Sequence, residues 1–131
     1  MSRHRLTLRL LPETFAICRL DPHAPLPAWV PQRAFTASIR TADELCVYCA
    51  GDAVPPDVRA ERGWRALQLV GPFDFSEFGV IASVAGPLAE AGISISVLAT
   101  FDTDYIFVRA EALESAVEIL QAGGHRIAGP D

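Results

Sequence analysis

Lysine is absent from this 131-residue chain, and its 11 basic residues are arginines scattered among 16 acidic ones, a formal net charge of −5. Nucleic-acid binding leans on clustered positive charge set against phosphates, so this balance argues against it. Arg3, His4 and Arg5 form a small basic patch that reads as a solvated terminus. Long apolar runs are missing as well. None approaches the ~20 residues of a membrane-spanning helix. The first residues are basic and then leucine-rich, in the manner of a secretory leader. Arg9, Pro12 and Glu13 break that run short of the ~7–15 apolar residues such a leader needs. The expectation is a soluble, cytoplasmic protein.

Cysteine is scarce, with Cys18, Cys46 and Cys49 alone, which is no disulfide framework. Cys46-Val47-Tyr48-Cys49 is formally a CxxC motif, but its β-branched and aromatic context reads as a strand. Residues three apart on a strand face opposite ways, so the two thiols cannot share a metal or a redox centre. His4, His23 and His125 lie far apart in sequence and supply no ligand pair. Neither a Gly-x-Ser-x-Gly elbow nor a glycine-rich phosphate loop occurs. These absences predict no catalysis, no cofactor and no metal.

What is present is a globular composition, 50% hydrophobic and 21% charged. The length suits one domain or two very small ones. A ~60-residue half buries too little surface to be robust alone, so the halves are expected to share a core or a dimer interface.

The first half reads as short strands. Residues 6–11 alternate until Pro12, residues 15–20 follow, and Pro22, Pro25, Pro27 and Pro31 then allow at most one helical turn near Trp29. Residues 35–40 and 45–49 make two more strands around a Thr41–Glu44 turn, and residues 57–63 read as a polar connector.

The second half is more regular. Residues 66–70 alternate and stop at Gly71-Pro72. Asp74 and Glu77 have capping-box spacing, which predicts a helix from about Ser76. Ile81, Val84, Ala85 and Leu88 share one helical face, Pro87 predicts a kink, and Ala91-Gly92 ends the helix. A period-two strand over 93–97, a turn at Asp102-Thr103 and a returning strand over 105–108 follow. Glu111 opens a second helix with Leu113, Ala116, Val117 and Leu120 on its apolar stripe. Gly123-Gly124 stops it before a last strand at His125. The order β-α-β-β-α-β predicts an α+β, ferredoxin-like sheet with both helices on one face.

Residues 63–131 resemble the tandem ACT-domain family: small bacterial ACT proteins and the related animal cytosolic arginine sensors. The likeness rests on Gly63-Trp64-Arg65, the run from Gly71 to Ser76, the run from Pro87 to Ile95, and the run from Thr100 to Ile106. Residues 1–62 match less well and resemble a degenerate ACT module whose proline-rich middle stands in place of a first helix. The resemblance implies two tandem modules, 1–62 and 63–131, that bind a free amino acid at a module interface and assemble as a homodimer.

A free amino acid presents a carboxylate, which a helix N-terminus serves with unpaired N–H groups and a positive dipole. The turn Ser76–Ile81 offers that geometry, and its ammonium partner would be Asp104 or Glu77. The resemblance carries over Glu77, Gly79, Val80, Thr100, Phe101 and Asp104 as ligand contacts, with Ile81 beside them. Each has a plainer role as well. Glu77 fits a capping partner of Asp74, Gly79 fits tight packing, Phe101 fits an interface, and Asp102 and Asp104 fit ordinary turn residues.

The function expected is a non-catalytic regulatory module for a free amino acid, acting on a separate and unidentified protein partner. The alternative is an ACT-fold interaction or oligomerisation module without a ligand.

Overall fold

The structure is a computed structural model that describes residues 4–73 and 78–130. The predicted capping box of Asp74 and Glu77 lies outside the described residues. The chain divides into two compact units: residues 13–64, and residues 65–131 together with the first twelve. Compact units and sequence modules are therefore drawn differently, because the first strand sits with the C-terminal half of the chain.

The unit of residues 13–64 holds strands β2 (Phe15–Leu20), β3 (Ala37–Arg40) and β4 (Leu45–Ala50) after β1 (Thr7–Leu10), and the start of β5 (Ala60–Leu69). β4 lies between β3 and β2, both antiparallel to it. The opening residues of β5 pair with β2, where a bulge falls between Phe15 and Ile17. Residues 60–63, expected as a connector, are thus strand. No α-helix occurs here among the described residues. The proline-rich segment instead lays Trp29 and Val30 over a core of Ala16, Cys18, Leu45, Val47, Cys49 and Val54. Four prolines in ten residues remove the amide hydrogens a helix needs, and isolated turns remain, closed by Ala24 N–H on Asp21 O (3.1 Å) and Val30 N–H on Pro27 O (3.2 Å).

The other unit contains the latter part of β5, then α1 (Val80–Glu90), β6 (Ile95–Ala99), β7 (Asp104–Arg109), α2 (Leu113–Ala122) and β8 (Arg126–Ala128). The fold is α+β and ferredoxin-like, in the expected order. Its strands run β6-β7-β5-β1-β8, with β1 wedged antiparallel to β5 and parallel to β8. Alternation explains the face that each strand presents. Leu8, Leu67, Leu69, Ile106 and Val108 point to the helices and meet Val84, Leu88, Ala116 and Leu120. The α2 stripe follows its 3.6-residue period at Leu113, Ala116 and Leu120, with Ile119 rather than Val117 packed against the core, while Glu114, Glu118 and Gln121 stay exposed.

α1 starts later than the sequence suggests. Its N-cap is Gly79, in the left-handed conformation at φ 79°, without any side-chain capping bond. Both helices end alike, each on a glycine with positive φ. After α1, Ile93 N–H reaches Leu88 O (2.9 Å), and after α2, His125 N–H reaches Leu120 O (3.0 Å). This is the wrap-around stop that a left-handed residue permits. Among the described residues no helix is long and apolar enough to cross a membrane.

Candidate functional site

The start of α1 is the first piece. Ser83 N–H bonds Gly79 O at 3.1 Å, the first link of the helix, so the amides of Val80, Ile81 and Ala82 precede the ladder. Gly79 as N-cap has no side chain to offer, and among the described residues no side chain caps these amides, the kind of position where an anion is held. The side chains beside them do other work. Val80 is 7% exposed and packs in the core, and Ile81 packs against the same cluster. Val80 and Ile81 can therefore touch a ligand through the backbone, not through their side chains. From the other direction, the His4 ring lies 3.0 Å from Phe78 O.

The β6–β7 turn is the second piece. Thr100 N–H donates to Thr103 O (2.7 Å). The Thr100 hydroxyl donates to the same carbonyl (3.0 Å) and accepts from Thr103 N–H (3.3 Å). That hydroxyl, expected to face a ligand, is engaged in closing the turn. Phe101 is 81% exposed at the tip. Asp104 opens β7 opposite Ala99 and is half-buried.

Two bonds bring the turn to the end of the sheet from which the chain leaves for α1. The Thr103 hydroxyl donates to Leu69 O at the end of β5. Phe73 N–H donates to Asp102 O (2.9 Å). Gly71 permits this closeness, since a Cβ there would meet Phe73 N at 2.9 Å and Asp102 O at 3.1 Å. The segments carrying Gly79–Ile81 and Thr100–Asp104 thus belong to one end of the unit, while Glu77 lies outside the described residues.

A cavity of about 310 Å³ opens beside the same loops, lined by Arg9, Gln68, Gly71, Asp102 and Thr103 among others. None of the predicted contacts among the described residues lines it. Arg9 and Gln68 face each other across β1 and β5, on the side away from the helices. Their pairing joins residues about sixty apart in sequence, which periodicity does not reveal.

The cysteines are placed as the strand reading requires. Cys49 is buried in the core with Cys18, whereas Cys46, opposite Arg19, faces the other way. The Cys18 thiol donates to the Cys49 sulfur, and that bond, with burial, pushes its pKa far above the ordinary thiol value. Burial and the nearby Glu44 push Cys46 up as well. Neither is an activated thiolate. Among the described residues no three His, Cys, Asp or Glu side chains gather as metal ligands do.

Residues 59–122, which include α1, the β6–β7 turn and the two bonds that tie that turn to Leu69 and Phe73, match the sequence model of the ACT domain. This chain belongs to the ACT-domain family. A second model, that of an N-terminal domain, matches residues 13–57. The human cytosolic arginine sensor for mTORC1 subunit 1 is 41% identical over 59 residues, which is 44% of this chain and 18% of that protein. The ACT protein thus spans about a fifth of the length of the curated relatives it matches. An Agobacterium tumefaciens protein of known crystal structure is 38% identical, covering 98% of this chain and 96% of its own, with a TM-score of 0.92. The regulatory subunit of Thermus thermophilus aspartate kinase is 15% identical over 88% of this chain and 96% of its own, with a TM-score of 0.61. That last likeness is one of fold.

Proposed function

We propose that this ACT protein is a regulatory, non-catalytic binder of a free amino acid, held at the N-terminal end of α1. The observation that carries the reading is the start of α1: a helix whose first amides have no side-chain cap among the described residues, at the end of the unit that also presents Asp104. The carboxylate takes the amides of Val80 and Ile81, where the helix dipole adds to the hydrogen bonds. The ammonium, or a cationic side chain, takes Asp104, with Glu77 as a second acid. Phe101 supplies an apolar wall. The similarity to an arginine sensor makes L-arginine the first ligand to test. A homodimer in which modules pair, a cytoplasmic location and a separate protein that responds to the bound state complete the proposal.

Thermal-shift measurements against the twenty amino acids test it. A ligand that binds only the folded state stabilises it by ~2.7 kcal/mol at a hundredfold excess over its dissociation constant. The expected result is a rise in melting temperature with one or a few amino acids, lost in Asp104→Ala. A folded, ligand-free preparation that responds to none of them sinks the proposal.

A second reading, an interaction module without a ligand, is favoured by the exposure of Phe78 (88%) and Phe101 (81%). Large apolar side chains left in water mark contact surfaces when they fall together. Under it, Asp104→Ala leaves partner binding intact.

A further inference from the structure

In the unit that holds α1 and α2 the sheet ends at β6, whose strand neighbour among the described residues is β7 alone. The ladder decides which backbone groups of β6 face outward. Thr100 N–H donates to Thr103 O, so that pair is a bonded one. Bonded and non-bonded pairs alternate along an antiparallel ladder, which makes Leu98 with Tyr105 and Ser96 with Phe107 the next bonded pairs. Ile95, Val97 and Ala99 fall in the non-bonded pairs, opposite Val108, Ile106 and Asp104. Their N–H and C=O groups therefore point away from β7, out of the edge of the sheet.

Natural proteins blunt such edges with charge, proline, bulges or very short strands. Edge strand β3 carries Arg40, and β8 is three residues long and carries Arg126. β6 has no such device. Its sequence, Ile95-Ser96-Val97-Leu98-Ala99, holds neither charge nor proline, and its register with β7 is continuous. Val97 is 40% exposed at its centre.

We propose that the free edge of β6 is an interface with a second copy of this chain, β6 lying antiparallel to its own counterpart about a two-fold axis through Val97. The spacing of the outward groups selects that occupant. Positions 95, 97 and 99 are symmetric about 97, so the two-fold sets Val97 against the partner's Val97 and Ile95 against the partner's Ala99. Every residue in these pairs presents both backbone groups outward, and each pair can exchange both N–H···O=C bonds. The side chains agree, a large Ile95 meeting a small Ala99 while the exposed Val97 is covered. A register shifted by two residues leaves one outward residue of each strand unpaired, and a shift of one sets outward groups against inward ones. This face serves the homodimer proposed above and rests on that part of the reading, not on the ligand.

Sedimentation over about 1–100 μM, the weak end of the range that protein interfaces span, reads the assembly. The expected result is a dimer in which the Val97 and Ala99 amides are protected from hydrogen exchange. Val97→Arg and Val97→Asp, at a half-exposed position, should each be folded monomers, because like charges then meet on the axis. An equimolar mixture of the two should dimerise again, which follows only if position 97 faces its own counterpart. In the Val97→Arg monomer the Ala99 amide should exchange at least about tenfold faster, as loss of a hydrogen bond allows. A protein that stays monomeric at about 100 μM overturns this face together with the homodimer. A dimer with unprotected Val97 and Ala99 amides, or one that persists in Val97→Arg, overturns this face and leaves the homodimer standing. Folded variants that stay monomeric when mixed overturn the two-fold register. Should either variant fail to fold, exchange in the unmodified protein decides.

Discussion

Pro87 has no amide hydrogen, so the carbonyl of Ser83, one turn earlier in α1, has no helical donor. The Nε2 of His125 lies 3.1 Å from that carbonyl, and its Nδ1 accepts Leu6 N–H at 3.0 Å. Since Leu6 N–H can only donate, Nδ1 must bring a lone pair, and the proton resides on Nε2. One buried ring thereby satisfies a break in α1 and a main-chain group just before β1. His125→Ala leaves two buried backbone groups unpaired, at ~1–3 kcal/mol each. Denaturant unfolding should show a loss of about 3 kcal/mol. In a Pro87→Ala background the helix itself supplies a donor to Ser83 O, and the loss should shrink by about 1 kcal/mol. The sequence shows His125 as an isolated histidine after a helix stop. Its role depends on residues 6 and 83, which no local pattern connects to it.

At the scale of elements, the strands and helices of residues 65–128 were largely legible because their apolar periods are clean. The α2 stripe and the β6–β7 hairpin are examples. The start of α1 was less so, since the run from Asp74 to Ile81 offers both an acidic capping pattern and a glycine that adopts the left-handed conformation. The placement of β1 was hidden, because Leu6–Leu10 alternates equally well for any neighbouring strand. Its position between β5 and β8 comes from pairing that closes a long loop. This has a consequence for fragments. Residues 63–131 alone would expose the facing edges of β5 and β8 and leave the core without Leu8, a side chain whose truncation typically costs ~2–5 kcal/mol. The fragment should be unfolded or aggregated by circular dichroism and sedimentation. A synthetic peptide of residues 1–12 added in trans should restore native dispersion of its amide spectrum. An autonomously folded fragment would contradict the assignment of β1 to this unit.

For the whole molecule, charge is the property composition sets most directly. With arginines dispersed and a net charge of −5, phosphate contacts gain little from counterion release. Gel-shift assays at about 50 mM salt should show no retention of duplex DNA, under conditions where clustered basic domains bind through that release. Composition and periodicity alone determined the fold class, the wet and dry faces of α2, the opposite orientation of Cys46 and Cys49, and the absence of activated-nucleophile motifs. These follow from spacing within a single element, where 2.0 and 3.6 residues per repeat set the geometry. Tertiary structure alone decided which strand lies beside β5, that the Thr100 hydroxyl closes its own turn, and that Arg9 meets Gln68. Each of these joins residues distant along the chain, and only packing and long-range hydrogen bonding choose among the partners that local pattern permits.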